Sequence, residues 1–180
     1  IEGLLAGLED PRFEVRFQCG RALARLHQTD PSRPIPGERA LAAVMREMKV
    51  ERGVWETQRL LDLSEEATDS PFVDQFLRDR ASRSLEHVFT LLSLVLPKQP
   101  LIVAFRGLHT RDEFLRGTAL EYLEAVLPEP VRESLWPFLE DERGPRRPPR
   151  SRAEILTALM QSNASIEANL ELLREDRERR

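Results

Sequence analysis

The sequence contains a single cysteine and no long apolar run, and each of these absences excludes a class of protein. Cys19 has no partner for an internal disulfide or for a thiolate metal cluster. The most apolar stretch, 85–96, is interrupted by Glu86 and His87 and is shorter than the roughly 20 residues that a membrane-spanning helix requires. The N-terminal residues also lack the pattern of a secretion signal. We therefore expect a cytoplasmic protein, with the soluble part of a membrane protein as the alternative.

The sequence also has no large excess of positive or negative charge. Charged residues make up 32% of the chain but the formal net charge is only −4, which is typical of a solvated surface of mixed sign and disfavours nucleic acid as a partner. Histidine is scarce, at three residues, and neither a His-Glu-x-x-His motif nor a glycine-rich phosphate loop occurs. We expect a non-enzymatic protein with no catalytic residue, no metal and no cofactor.

Two segments that lie 100 residues apart share one order of apolar, arginine and small residues. The first contains Val15-Arg16, Cys19-Gly20, Ala22-Leu23 and Leu26, and the second contains Leu115-Arg116, Ala119-Leu120, Tyr122-Leu123 and Val126. The apolar positions advance by three and four residues, which predicts two helices whose apolar faces need neighbouring helices to cover them. Strand patterns are nearly absent, so the sequence predicts an all-α fold.

The segment 1–26 resembles a HEAT repeat, the paired-helix unit of alpha-solenoids, and 101–127 resembles it more loosely. The resemblance rests on Leu4-Leu5, Leu8 and Asp10, followed by the first of the two recurring segments. It implies an irregular HEAT-like alpha-solenoid of stacked antiparallel helix pairs. Proteins built this way bind a protein segment, or another domain of a longer chain, over an extended surface.

Arg16 and Arg116 occupy the position at which HEAT-like units often pair an arginine with an acidic residue. The resemblance therefore predicts structural ion pairs, with Asp10 and Asp112 as the partners. The alternative is that both arginines bind a partner on a concave face, because a guanidinium can hold a carboxylate or phosphate through two hydrogen bonds.

A second resemblance involves Leu85–Leu92, Arg116–Leu123 and Leu135-Trp136-Pro137, which are similar to the soluble helical-repeat extension of bacterial transporters related to the ADP/ATP translocases. It implies an alternative function as the cytosolic regulatory extension of such a membrane protein. Trp136 is a candidate partner-binding residue, with half-buried packing as the other interpretation. A repeat-fold enzyme acting on nucleic acid is a further alternative, which would require a basic concave face with aromatic residues and a carboxylate.

Breaks in the helical pattern of the sequence predict three regions. These are a HEAT-like repeat region over 1–142 with a loop at 28–37, a connector over 143–152, and a terminal helical hairpin over 153–180. Local signals predict that Asp10 and Pro11 open the second helix, that Gly53 divides two helices, and that capping boxes begin at Thr110 and Ser151. Because the chain starts inside an amphipathic segment, we also expect it to be part of a longer protein.

The connector is rich in arginine and proline and contains no acidic residue. Its candidate contacts with an anionic membrane surface or with nucleic-acid phosphates are Arg143, Arg146, Arg147, Arg150 and Arg152. The alternative interpretation is a solvated linker, because no aromatic residue lies among these arginines to stack on a base.

Overall fold

The computed structural model describes residues 1–30, 32–63, 71–110, 112–139, 151 and 153–161, and for 57–63, 71–74 and 77 it describes the backbone alone. This part of the chain is helical and contains no strand, which confirms the predicted all-α class. The helices are α1 (Glu2–Gly7), α2 (Phe13–Thr29), α3 (Gly37–Leu63), α4 (Pro71–Leu92), α5 (Lys98–Leu108), α6 (Glu113–Val126), α7 (Glu129–Leu139) and α8 (153–161).

The chain divides into two compact units. Unit 1 contains Ile1–Lys98 and Pro128–Phe138, and unit 2 contains Gln99–Leu127 and Leu139–Arg180. The predicted boundary at 142/143 lies outside the described residues, as do the connector residues Arg143, Arg146, Arg147, Arg150 and Arg152. Of the predicted terminal hairpin, the structure describes 153–161, which forms α8.

The interior of unit 1 is formed mainly where α3 and α4 pack on each other, with α1 packed on α2 and α2 packed on α4. Aliphatic side chains at helical spacing fill this interior because burying them removes apolar surface from water. Fully buried examples are Leu23 on α2, Val44 on α3, and Val88 and Leu92 on α4. Trp55 is also buried, and its ring meets the ring of Phe138 edge-on with centroids 5.1 Å apart.

Unit 2 depends on a close approach of α5 to α6. A side chain on Gly107 would place its Cβ 2.8 Å from the Cβ of Ala119, so the glycine and the small alanine together permit this spacing. Leu115 and Leu123 are buried on α6, and Ile155 and Leu159 are buried on α8. The second recurring segment is therefore a helix with a buried apolar face, as predicted.

The predicted start of the second helix is wrong by two residues. Helix α2 begins at Phe13, and its N-cap residue is Arg12, whose side chain makes no capping hydrogen bond. The carboxylate of Asp10 instead accepts hydrogen bonds from the backbone N–H of Arg12 at 2.8 Å and from its guanidinium. These hydrogen bonds from Arg12 lower the pKa of Asp10 to about 2. Asp10 thus forms a local turn before the helix rather than a cap on it.

Two further local predictions are corrected by the structure, and one is confirmed. Helix α3 continues through Gly53, because a single exposed glycine costs a helix only about 1 kcal/mol and does not break it. Helix α6 is capped by Asp112, which accepts the N–H groups of Phe114 and Leu115, and Thr110 only bonds the N–H of Asp112. The predicted box at Ser151 is present, because its N–H and hydroxyl both donate to the carboxylate of Glu154.

We expect the substitution Leu92→Ala to reduce the free energy of unfolding by about 2–5 kcal/mol, since it removes buried methyl groups and leaves a cavity. Cys19→Ala, at a half-buried position, serves as the matched control and should cost much less. Urea denaturation followed by circular dichroism measures both. Equal stabilities of the two variants would contradict the central position of Leu92.

Candidate functional site

The most unusual feature of unit 1 is an arginine whose five donors are all used inside the protein. Arg16 lies on α2 and is 3% exposed. Its Nε and Nη2 donate to the two carboxylate oxygens of Glu47 at 2.7 and 3.1 Å, and Nη2 also donates to Glu51 at 3.0 Å. Its Nη1 donates to the backbone carbonyls of Asp10 and Pro11 at 3.0 and 2.9 Å. One guanidinium therefore ties α2 to α3 and to the turn that precedes α2.

Helix α4 supplies a second arginine to the same place. The Nη2 of Arg80 donates to Glu51 at 2.6 Å, so one carboxylate oxygen of Glu51 accepts hydrogen bonds from two arginines. The guanidinium of Arg80 also lies over the ring of Phe13, with its carbon 3.4 Å from the ring centroid. A cation over an aromatic face is favourable, more so when water is excluded. Arg80 thereby connects α4 to both α2 and α3.

A buried histidine on α4 completes the group. His87 is 1% exposed, and its ring packs against Phe13 and Phe17 of α2 with centroids 6.0 and 5.8 Å apart. A side chain on Gly20 would place its Cβ 2.6 Å from the Cε1 of His87, so the imidazole occupies the space that this glycine leaves on α2. We refer to Arg16, Glu47, Glu51, Arg80 and His87 as the polar cluster.

Burial shifts the titration of two members of the polar cluster. It lowers the pKa of His87 to about 4, and although the carboxylate of Glu47 opposes this shift, the charges of Arg16 and Arg80 add to it. Burial raises the pKa of Glu51, against the effect of Arg80. At neutral pH His87 is therefore uncharged.

The side chains of the polar cluster bond one helix to another. Its carboxylates are hydrogen-bonded to arginines, and no group of His, Cys, Asp or Glu in the described part of the chain is arranged to hold a metal ion. At the solvent edge, Arg83 of α4 and Glu14 of α2 form an exposed ion pair through two 2.7 Å hydrogen bonds. The arrangement therefore fixes the positions of three helices rather than presenting a nucleophile.

The structure changes the predicted partner of each repeat arginine. Arg16 pairs with Glu47 and Glu51 instead of the Asp10 carboxylate, and only the backbone oxygen of Asp10 contacts it. Arg116 donates to the backbone carbonyls of Leu108 and Leu139 in unit 2. The predicted acid, Asp112, uses its carboxylate to cap α6. Both arginines thus have internal partners, and their role in binding another protein stays a prediction.

The two recurring segments are both helical, but their buried faces begin one residue apart. Arg16 and Gly20 are buried on α2, whereas the equivalent Arg116 and Leu120 lie beside the buried face of α6. The positions buried on α6 are Leu115, Thr118, Ala119, Tyr122 and Leu123. The shared order of residue types therefore did not predict that equivalent positions of the two helices would be buried.

Sequence reasoning missed the acidic half of the polar cluster. Glu47 and Glu51 lie four residues apart within the apolar pattern of Val44, Met48 and Trp55, and a charged pair on an apolar stripe is a usable signal of buried ion pairing. Arg80 and His87 lie seven residues apart, on one face of α4. The remaining candidate, Trp136, is half-buried on α7.

Comparisons with protein-family models, curated proteins and solved structures find no significant match. The HEAT-like and transporter-like resemblances therefore stay predictions. In the described part of the chain, no helix has both the length and the apolar character needed to cross a membrane.

We expect Arg16→Met to destabilise the protein by about 3–5 kcal/mol, because it leaves the buried carboxylate of Glu47 without its main partner and removes one of the two arginines that bond Glu51. Urea denaturation at pH 7 measures the loss. The matched control is Arg39→Met, which removes an exposed arginine paired with Glu2 at 2.7 Å and should have a much smaller effect. If both variants change the unfolding midpoint equally, Arg16 does not have the structural role described above.

We expect Gly20→Ala to destabilise the protein by about 1–3 kcal/mol, because the added methyl group collides with His87 in a packed interior. The control is Gly53→Ala on α3, where a methyl group meets open space. Alanine favours a helix over glycine by about 1 kcal/mol, so this control should be stabilising. Thermal unfolding of the two variants tests the prediction, and a stabilising effect at both positions would contradict it.

Proposed function

We propose that the chain is a non-enzymatic interaction module, a HEAT-like helical-repeat scaffold that binds a segment of another protein or another domain of a longer chain. The observation that carries this proposal is a cleft between α1 and α3. The burial of the polar cluster supports a non-enzymatic role, since those titratable groups serve helix packing.

The cleft combines an apolar floor with a charged rim. Leu5 of α1, Leu8 just after it, and Ala42 and Ala43 of α3 line it, and Glu9, Arg39 and Arg46 border it. Its volume of about 60 Å³ is far below the roughly 300–1,000 Å³ typical of cofactor and substrate pockets. A cleft of this size suits one small apolar side chain of a bound peptide.

The outer face of α3 extends the binding surface. Val50 is 54% exposed, and it lies four residues after Arg46 on the same face of the helix. Arg46 and Lys49 are also exposed on this face. An apolar side chain among basic residues favours a partner that presents apolar anchors next to acidic side chains.

The ion pairs at the rim leave the basic residues available to such a partner. Arg39 pairs with Glu2 at 2.7 Å and Arg46 with Glu9 at 3.6 Å, and all four side chains are largely exposed. Exposed pairs contribute little to stability, at about 0–1 kcal/mol each. A partner carboxylate can therefore replace Glu2 or Glu9 at small cost.

Selection from a displayed library of random 16-residue peptides tests the proposal, since such a library samples many partner sequences at once. We expect enriched peptides to pair apolar with acidic residues. Arg46→Glu and Val50→Asp should weaken binding of an enriched peptide by about tenfold or more, equivalent to at least ~1.4 kcal/mol. The matched control is Arg25→Glu on the exposed face of α2, which should leave the dissociation constant within about twofold of the parent value.

Two results would refute this function for the cleft. One is the absence of any enriched peptide that binds the chain in solution. The other is an enriched peptide whose affinity falls as much in the Arg25→Glu variant as in the two cleft variants.

A further inference from the structure

Helix α2 makes a smaller contact with α3 and α4 than these two helices make with each other. Helices α3 and α4 pack extensively on each other, whereas α2 packs on α4 over a shorter stretch. The polar cluster joins α2 to both of these helices, together with the rings of Phe13 and Phe17. We call this contact the α2 junction.

The α2 junction contains several buried polar atoms that have no hydrogen-bond partner among the described residues. They are the Oε2 of Glu51, the Nη1 of Arg80, the Oγ of Ser84 and the Nδ1 of His87. Each buried polar atom without a partner costs free energy that an apolar contact would not cost. These atoms therefore make the α2 junction less stable than an apolar contact of the same size would be.

Exposure to water would favour the charged form of His87, which burial at the α2 junction disfavours. The charged groups around it are Arg16 from α2, Glu47 and Glu51 from α3, and Arg80 from α4. The nearest carboxylate oxygen, Oε2 of Glu47, lies 3.9 Å from Nε2 of His87 and already accepts a hydrogen bond from Arg16. A proton on His87 would thus be buried, next to two guanidinium groups, and without a close carboxylate of its own.

We infer that the α2 junction is an acid-sensitive contact, in which transient openings that separate α2 from α3 and α4, while α3 and α4 remain packed, become more frequent in mildly acidic solution. Opening exposes the rings of Phe13 and Phe17 and lets His87 take up a proton in water. This property is independent of the function proposed above for the cleft between α1 and α3.

Linkage gives the direction and size of the effect. The pKa of His87 is about 4 when buried and 6.5 when solvated, so the open form binds more protons between these values and gains population as the pH falls. From pH 7.5 to pH 5 the titration of His87 alone raises the opening equilibrium constant by about 30-fold. Glu51 acts in the opposite direction, because its pKa is raised in the closed form, so a protonated Glu51 favours closure.

Amide hydrogen exchange of the full chain at pH 7.5 and pH 5 tests the inference, with protection factors that correct for the intrinsic pH dependence of exchange. We expect the protection of α2 amides to fall by up to about 30-fold, and that of α6 amides in unit 2 to change little. His87→Gln removes the titrating group and should abolish this loss. The matched control is His109→Gln, at an exposed histidine, which should keep it.

A titration of the His87 ring by NMR in the unchanged protein provides a second test that does not depend on any variant folding. The ring should stay neutral down to about pH 4. Titration near 6.5 would overturn the inference. An α2 protection loss that persists in a folded His87→Gln variant, or an equal loss across α2, α3 and α4, would overturn it as well.

Discussion

The arrangement of unit 1 depends on the hydrogen bonds of one guanidinium. Arg16 is buried, so each of its donors must find an acceptor inside the protein, and it finds them on two carboxylates and two backbone carbonyls. These acceptors specify where α2 lies relative to α3 and to the turn before α2. The strength of a hydrogen bond depends on its direction far more than the strength of an apolar contact does. Arg16 therefore selects one helix arrangement among several that aliphatic packing would allow.

The same interaction explains why the interior of unit 1 is not fully optimised for stability. Buried ion pairs with incomplete hydrogen bonding are often no more stable than apolar residues of similar volume. The chain nevertheless places Arg16, Glu47, Glu51 and His87 in the interior. The polar cluster therefore contributes a defined arrangement more than it contributes free energy, and it makes that arrangement sensitive to the protonation of its members.

Sequence patterns predicted the helical class, because the period of apolar residues is a local property. The patterns failed where the partner of a residue, or the face that a helix buries, depends on residues far away in the sequence. Asp10 and Arg16 are close in sequence, yet the carboxylates that hold Arg16 lie 31 and 35 residues away on α3. The exact face that α2 buries could not be read from its own residues, since that face is decided by Glu47 and Glu51. The α1–α3 cleft likewise joins residues of two separate helices.

The close approach of Gly20 and His87 has a consequence for how this sequence can vary. The space for an imidazole on α4 exists only because α2 has no side chain at position 20. In a related chain, a larger residue at position 20 would require a smaller one at position 87, and the loss of the histidine would remove the need for glycine. These two positions should therefore change together among homologues, although they lie 67 residues apart.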